Sequence, residues 1–303
     1  MLGTSMWKAL LGLATLVVAG CSAGAAPGAR PTVRIGSTSF SEQVILGEIY
    51  GQVLEANGYT VERRFNLGSR EIVAPALESG QIDMYAEYLA TYLTFLTKDP
   101  TRASTDPIIT YRNLQDALRG KNITVLEYAP AVDNDGFVVT KETSQGRNLK
   151  KVSDLASQNN QLTLGGPPEC PDRPFCLKGL ESTYGVKFKE FKALDTGGPM
   201  TVAALEGKQV DVAVLFTTDA AIQAKNFVLL DDDKRLQLAD NVAPVVRNDL
   251  LDRALADFRG LINGVTTRVT TEELTGLNRQ VGLDRKEARD VARDWLRAQG
   301  LVR

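Results

Sequence analysis

The sequence predicts an α/β protein made of two similar lobes with a ligand cleft between them. Short apolar strands alternate with amphipathic helices along the chain, the rhythm that builds α/β layers, here expected as mostly parallel sheets. "ALESGQIDMYAEY" (76–88) is echoed by "ALEGKQVDVAVLF" (204–216), with Ala, Leu, Glu, Gln and Asp in register at a shift of 128 residues. The chain has 303 residues, about 280 of them after an N-terminal export segment. Domains commonly run about 50 to 250 residues, so two compact units fit.

Residues 1–20 read as a lipoprotein signal peptide. Lys8 precedes an apolar run (9–19) that ends in "VVAGC". A small-residue site directly before Cys21 resembles the lipobox of bacterial lipoproteins, in which the cysteine is acylated and becomes the new N-terminus. The run is shorter than the roughly 20 residues a membrane helix needs. The composition of residues 21–31 reads as a flexible small-residue tether. No later segment is long and apolar enough to cross a bilayer. The expected product is therefore a soluble, extracytoplasmic body held to the membrane by the two acyl chains on Cys21.

The first strand is "TVRIG" (32–36). A helix follows, with Val44, Ile45, Glu48, Ile49, Gln52 and Val53 at helical spacing, Ser39 or Ser41 as its cap, and Asn57-Gly58 as its stop. "YTVERRF" (59–65) alternates like a strand, "REIVAPALESG" (70–80) reads as a helix, and "IDMYAEY" (82–88) as the next strand. "FVVT" (137–140), "QLTLGG" (161–166), "FKEFKAL" (188–194), "VDVAVLF" (210–216) and "NVAPVV" (241–246) supply further strands with helices between. The C-terminal stretch is wholly helical: 248–265 opening on an Asn/Asp cap, then 270–282 and 284–300. The 128-residue echo has two explanations, the common grammar of helix, tight turn and buried strand, or a repeated unit in two lobes. In the second, both strands end in an aromatic followed by threonines, "YLAT" and "FTTD". Ligands collect beyond the carboxyl ends of strands in open α/β sheets, which sets Tyr88 and Phe216 facing each other across a cleft, each of them otherwise an ordinary core or rim aromatic.

Composition excludes several activities. The chain has no histidine, which removes histidine-activated nucleophiles, most zinc hydrolase sites and imidazole acid-base chemistry. The net charge of −2 lacks the basic excess of a nucleic-acid binder. Carboxylate-pair catalysis survives composition alone, but the acidic residues fall mostly on helix faces or in turns such as "LLDDDKR". No enzyme activity, cofactor or metal is expected.

With Cys21 lipidated, Cys170 and Cys176 are the remaining pair, bracketing Arg173 in "PECPDRPFC" (168–176). An oxidising compartment lets them bridge. So short a loop gains less than the roughly 3 kcal/mol of a 15-residue loop. The bridge would then act locally, holding a guanidinium in one place for a ligand. Two reduced thiols, or a staple unrelated to any site, are the alternatives.

The segments "IGSTSFSEQVILGEIYGQVLEANGYTVERRFNLGSREIVAPALESGQIDMYAEYLAT", "PPECPDRPFCLKGLESTYGVKFKEFKALD", "VDVAVLFTTDAAI" and "EARDVARDWLRAQGLV" resemble the substrate-binding proteins of osmoprotectant ABC importers for glycine betaine, choline and carnitine. The resemblance covers nearly all of the mature chain. It implies a two-lobed periplasmic-binding-protein-like fold of type II with two crossovers, lobe I comprising 32–130 plus 240–303 and lobe II 131–239. It also implies a monomer that binds a small-molecule solute and hands it to a permease and an ATPase, with no nucleic-acid partner. By position, the family's cleft residues fall on Thr38, Tyr88, Thr91, Arg173 and Phe216, and in betaine binders the arginine at the place of Arg173 holds the ligand carboxylate.

A quaternary ammonium has no hydrogen-bond donor, so aromatic faces hold it by cation–π attraction of roughly 0.5 to 2 kcal/mol each. This chain departs from the family's tyrosine box. Phe216 replaces a tyrosine and is followed by Thr217, "DNDGFVV" offers Asn134, Asp135 and Gly136 at an Asp-Tyr pattern, and "LADNVAP" offers Asp240 or Asn241 at the last tyrosine. Thr38 stands where relatives carry lysine or a similar residue. The altered cage weakens the expectation of glycine betaine itself and suits a cation held by charge, or an aromatic or polyhydroxylated ring. The alternative function is an envelope sensor or adhesion protein that keeps the binding fold without transport.

Overall fold

The computed structural model describes residues 30–303. The signal peptide and the proposed anchor, Cys21, lie outside the described residues. In chain order the elements are β1 (Thr32–Gly36), α1 (Ser41–Ala56), β2 (Thr60–Arg64), α2 (Arg70–Glu78), β3 (Met84–Tyr88), α3 (Leu89–Thr97), α4 (Pro107–Ala117) and β4 (Ile123–Val125). Then come β5 (Asp135–Val139), α5 (Lys141–Arg147), β6 (Thr163–Gly166), α6 (Leu177–Gly179), β7 (Glu190–Ala193), α7 (Pro199–Glu206), β8 (Val212–Phe216), α8 (Ala221–Ala224) and β9 (Val228–Leu229). The chain closes with β10 (Val242–Arg247), α9 (Asn248–Arg253), α10 (Phe258–Thr266), α11 (Thr271–Gly282) and α12 (Ala288–Ala298).

These strands form two five-stranded sheets of matching topology, β2-β1-β3-β10-β4 and β7-β6-β8-β5-β9. In each, four strands run the same way, and the strand entering from the other lobe, β10 or β5, lies antiparallel between two of them. The sheets are thus mixed, with one reversed strand each, because each lobe receives one strand from outside its own βα succession. Apolar side chains of α1, α10, α11 and α12, including Ile45, Ile49, Phe258, Leu277 and Trp295, cover one face of the first sheet. Val73, Leu77, Tyr92 and Leu114 from α2, α3 and α4 cover the other. The second sheet is likewise covered on both faces, with Leu155, Leu180 and Tyr184 on one and Ala204, Leu205 and Ile222 on the other.

The 128-residue echo is a structural repeat down to its hydrogen bonds. Gln81 N–H donates to Ala76 O, and Gln209 N–H to Ala204 O, at 2.9 and 2.8 Å. The turn between helix and strand needs a left-handed residue, supplied by Gly80 (φ 77°) in one lobe and Lys208 (φ 54°) in the other. The repeated aspartate has the same task in both places: Asp83 accepts from Arg34 N–H on β1, and Asp211 from Thr163 N–H on β6, each at 2.9 Å. Each pins the incoming strand to its central neighbour.

The chain passes between the sheets twice, before β5 and before β10, and the two passes touch as an antiparallel bridge, Val132 with Asn241. Two expected caps are different in the structure. The N-cap of α1 is Phe40, without a side-chain bond, because Phe40 gives its ring to the space between the sheets and neither Ser39 nor Ser41 stands at the cap position. Residues 248–265 are broken into α9 and α10, and the N-cap of α9 is Arg247, so Asn248 and Asp249 already lie inside the helix. The short edge strands β4 and β9 carry no periodic signal and escape the sequence reading.

Candidate ligand cleft

A cavity of about 460 Å³ lies between the two sheets, at the carboxyl ends of β1, β3 and β8. Of the residues singled out from sequence, Thr38, Tyr88, Thr91, Asp135, Arg173, Phe216 and Asp240 line it. Asn134 and Thr217 do not. They pair with each other instead, Asn134 N–H to the Thr217 hydroxyl at 3.0 Å and Thr217 N–H to Asn134 O at 2.9 Å, joining the first crossover to the end of β8. Gly136 is also outside the cavity, and a Cβ there would meet Leu229 at 2.7 Å and the Leu215 carbonyl at 3.0 Å. A tyrosine at 136 therefore cannot rebuild an aromatic box.

Tyr88 and Phe216 do not face each other directly, because Phe40 stands between them. Its ring is stacked on Phe216 at 4.7 Å between centroids and on Tyr88 at 6.4 Å. All three rings line the cavity, with the closer contact between Phe40 and Phe216. Sequence reading missed Phe40, although its position just beyond the carboxyl end of β1 follows the same rule that picked out Tyr88.

Behind the stack lies a buried acidic pair. Glu42 on the first turn of α1 accepts from the Tyr88 hydroxyl, the Thr218 hydroxyl and the Asn278 amide, each at 2.6 Å. The Thr218 hydroxyl also lies 2.9 Å from Asp133. One hydroxyl hydrogen cannot serve two carboxylates at once, so both contacts are satisfied only when one of the pair is protonated. Burial pushes the Glu42 carboxyl up against the pull of its three donors, and burial with the Glu42 charge holds Asp133 well above the ordinary carboxylate range. Burial and the same charge likewise raise the Tyr88 phenol. Glu42, Tyr88 and Asn278 belong to elements of the first lobe and Thr218 to the second, so this network ties the lobes beside the crossovers.

The rim of the cavity is charged. Arg70, on the first turn of α2, forks onto Glu87 of β3 at 2.8 and 2.9 Å and donates to the Thr91 hydroxyl at 2.8 Å. Burial opposes the Arg70 charge and Glu87 more than offsets it, so the guanidinium is raised further. Thr91 N–H donates to Asp240 at 2.9 Å. Desolvation raises Asp240 to about 7 and Asp135 to about 6, despite the charges of Arg70 for the first and Arg173 and Arg70 for the second. Arg173 is engaged by two carboxylates, Glu71 across the cleft at 3.2 Å and Glu169 at 3.3 Å. Its loop is closed by the Cys170–Cys176 disulfide, whose cysteines are buried in the second lobe's core.

Several buried polar atoms of the lobe I wall have no partner among the described residues: the Thr38 and Thr94 hydroxyls and both amide atoms of Gln43, which is 1% exposed. An unmade buried hydrogen bond costs about 1–3 kcal/mol, so a ligand bearing polar groups has ready partners here. No described helix is long and apolar enough to cross a membrane, and no cluster suited to a metal occurs among the described residues.

Comparison with known proteins gives this arrangement a setting. Residues 31–298 match the family model described as the substrate binding domain of ABC-type glycine betaine transport systems. The chain is 28% identical to the glycine-betaine-binding protein of Pseudomonas aeruginosa over 282 residues, 89% of each chain. It is 25% identical, over 86% of its length, to the ergothioneine transport permease/ergothioneine binding protein EgtU of Helicobacter pylori, spanning 46% of that longer chain. Among solved structures, the crystal structure of a glycine betaine/carnitine/choline ABC transporter protein aligns with a TM-score of 0.70 and 27% identity, covering 89% of this chain and 99% of the other.

Proposed function

Because the chain belongs to the family of substrate-binding domains of ABC-type glycine betaine transport systems, we propose that it is a lipid-anchored, extracytoplasmic and monomeric subunit with an altered cage, receiving its solute in the cleft between lobe I (32–130 and 240–303) and lobe II (131–239). The observation that carries this reading is the cavity of about 460 Å³, walled by both lobes and bordered by both crossovers. A site divided in this way couples binding to closure, since a ligand touching both walls favours the state that brings them together. The solute then passes to a permease driven by an ATPase. Thr38, Tyr88, Thr91, Asp135, Arg173, Phe216 and Asp240 are its proposed contacts. Asn134 and Thr217 act by holding the crossover.

The ligand field extends beyond glycine betaine to other cations and to aromatic or polyhydroxylated compounds, because the rings and carboxylates replace a full tyrosine box. A thermal-shift screen of quaternary amines, related amines, polyols and aromatic solutes tests it. A ligand at 100 times its Kd adds about 2.7 kcal/mol of stability. A hit should also compact the molecule in small-angle scattering. Unchanged melting with every class would overturn the reading. Membrane fractionation of wild type and Cys21→Ala tests the anchor, with wild type expected in the membrane and the variant released.

A further inference from the structure

The charges around the cleft do not balance: four cations, Lys98 and Lys178 among them, line it against seven carboxylates. Arg70 is matched by Glu87, and Arg173 by Glu71 and Glu169. Asp135 and Asp240 have no cation bonded to them among the described residues, and they arrive from opposite ends of the crossover pair, at the start of β5 and just before β10. Only one oxygen of Asp240 accepts from the protein, through Thr91, and no group donates to Asp135 among the described residues. Gln43 adds a buried amide whose oxygen and nitrogen both lack partners, and it lines the same cavity. Of the rings lining the cavity, Phe216 packs on Phe40 at 4.7 Å between centroids, while the Tyr88 hydroxyl is committed to Glu42.

We propose that the cleft selects a protonated amine that carries N–H groups over its fully N-methylated counterpart, and that Asp135 and Asp240 are the residues that make the distinction. This rests on the solute-binding reading above and narrows it. A quaternary ammonium can answer the charge of the two carboxylates but leaves their oxygens and the Gln43 carbonyl without donors. A site built to hydrogen-bond an N–H rejects the analogue that lacks it far more strongly than an apolar pocket rejects a methyl group. Asp135 faces Arg173, Arg70 and Glu169, and Asp240 faces Arg70, Asp135 and Glu87, so a cation seated between the two aspartates also relieves their mutual repulsion.

Matched probes decide it: choline against N,N-dimethylethanolamine, and glycine betaine against N,N-dimethylglycine, measured by calorimetry at pH 8 on the wild-type protein, Asp135→Asn and Asp240→Asn. The N–H member of each pair should bind at least about tenfold tighter to wild type, and that preference should collapse in both variants. Affinity for the N–H probes should rise between pH 5 and 8 as the aspartates ionise. Equal or tighter binding of the quaternary member overturns the inference while leaving the solute-binding reading intact, as does a preference that survives both substitutions. Binding of neutral polyols but no cation does the same. Failure of every solute class overturns both. If either variant does not fold, the wild-type ratio alone decides.

Discussion

The two copies of the helix-turn-strand unit share a backbone and differ in what they carry. β3 reads Met-Tyr-Ala-Glu-Tyr and β8 reads Val-Ala-Val-Leu-Phe, so Glu87 stands where the second lobe has Leu215, and Tyr88 where it has Phe216. The helices differ in step: Arg70 of α2 corresponds to Gly198, next to α7. Lobe I therefore builds its wall from a buried ion pair and a hydrogen-bonded phenol, and lobe II from a plain apolar strand. The two sheets share one topology with and without it, so the strand order does not require the polar wall.

The largest test of that difference makes lobe I more like lobe II at one point. Glu87→Leu leaves Arg70 buried without its partner and should cost about 3–5 kcal/mol in urea unfolding. Arg70→Met with Glu87→Leu should recover most of that loss, since a buried ion pair replaced by packed apolar groups is often neutral. A double variant as unstable as the single one would show that the wall does hold the lobe together.

The repeat explains what was readable in advance and what was not. Strand and helix positions follow from local periodicity, so β1, β2, β3, β5, β6, β7, β8 and β10 are all legible in the sequence. The antiparallel entry of β5 and β10 was not, because it depends on which lobe a strand joins. In the cleft, Tyr88, Phe216 and Asp135 could be found from strand ends or by position. Phe40 carried the same strand-end signal as Tyr88, but Gln43 and Arg70 could not be separated from ordinary helix-start residues, and the engagement of Arg173 by Glu71 joins residues 102 apart in sequence.

Next in size is the dependence of the ligand-free protein on pH. Asp240 is raised to about 7, and Asp135 and Asp219 to about 6, mainly by desolvation. A carboxyl raised on folding contributes stability that is complete below its unfolded pKa, near 4, and is lost as pH rises through the folded value. Melting temperature should therefore fall between pH 5 and 8. Asp240→Asn keeps an acceptor for Thr91 and removes the charge, so at pH 8 it should melt above wild type with a shallower slope. A variant as pH-dependent as wild type would place the cost elsewhere.

The disulfide is a feature of lobe II without a counterpart in lobe I. Replacing Cys170 and Cys176 together by Ala should cost less than about 3 kcal/mol of stability, because the closed loop is short. Loss of order around Arg173 should be felt more in binding, and calorimetry with whichever probe binds should show a larger free-energy loss than unfolding does. Equal losses in both would make the bridge a general staple rather than a local one.

The smallest effect lies in the paired aromatics themselves. Tyr88 and Phe216 occupy equivalent places at the ends of β3 and β8 and stack on the same ring, so their packing contributions should be similar. They differ by one hydroxyl, which in Tyr88 donates to Glu42 at 2.6 Å in a fully buried setting. Tyr88→Phe removes one of three donors to that carboxyl and leaves the Thr218 and Asn278 bonds, so it should cost about 1 kcal/mol. The loss should shrink as pH falls, because a protonated Glu42 depends less on the phenol than an ionised one. Phe216→Tyr adds a hydroxyl at a half-exposed rim position and should change stability by less than about 0.5 kcal/mol. Equal costs for the two exchanges would mean that Glu42 gains nothing from Tyr88, and the asymmetry between the walls would then rest on Arg70 and Glu87 alone.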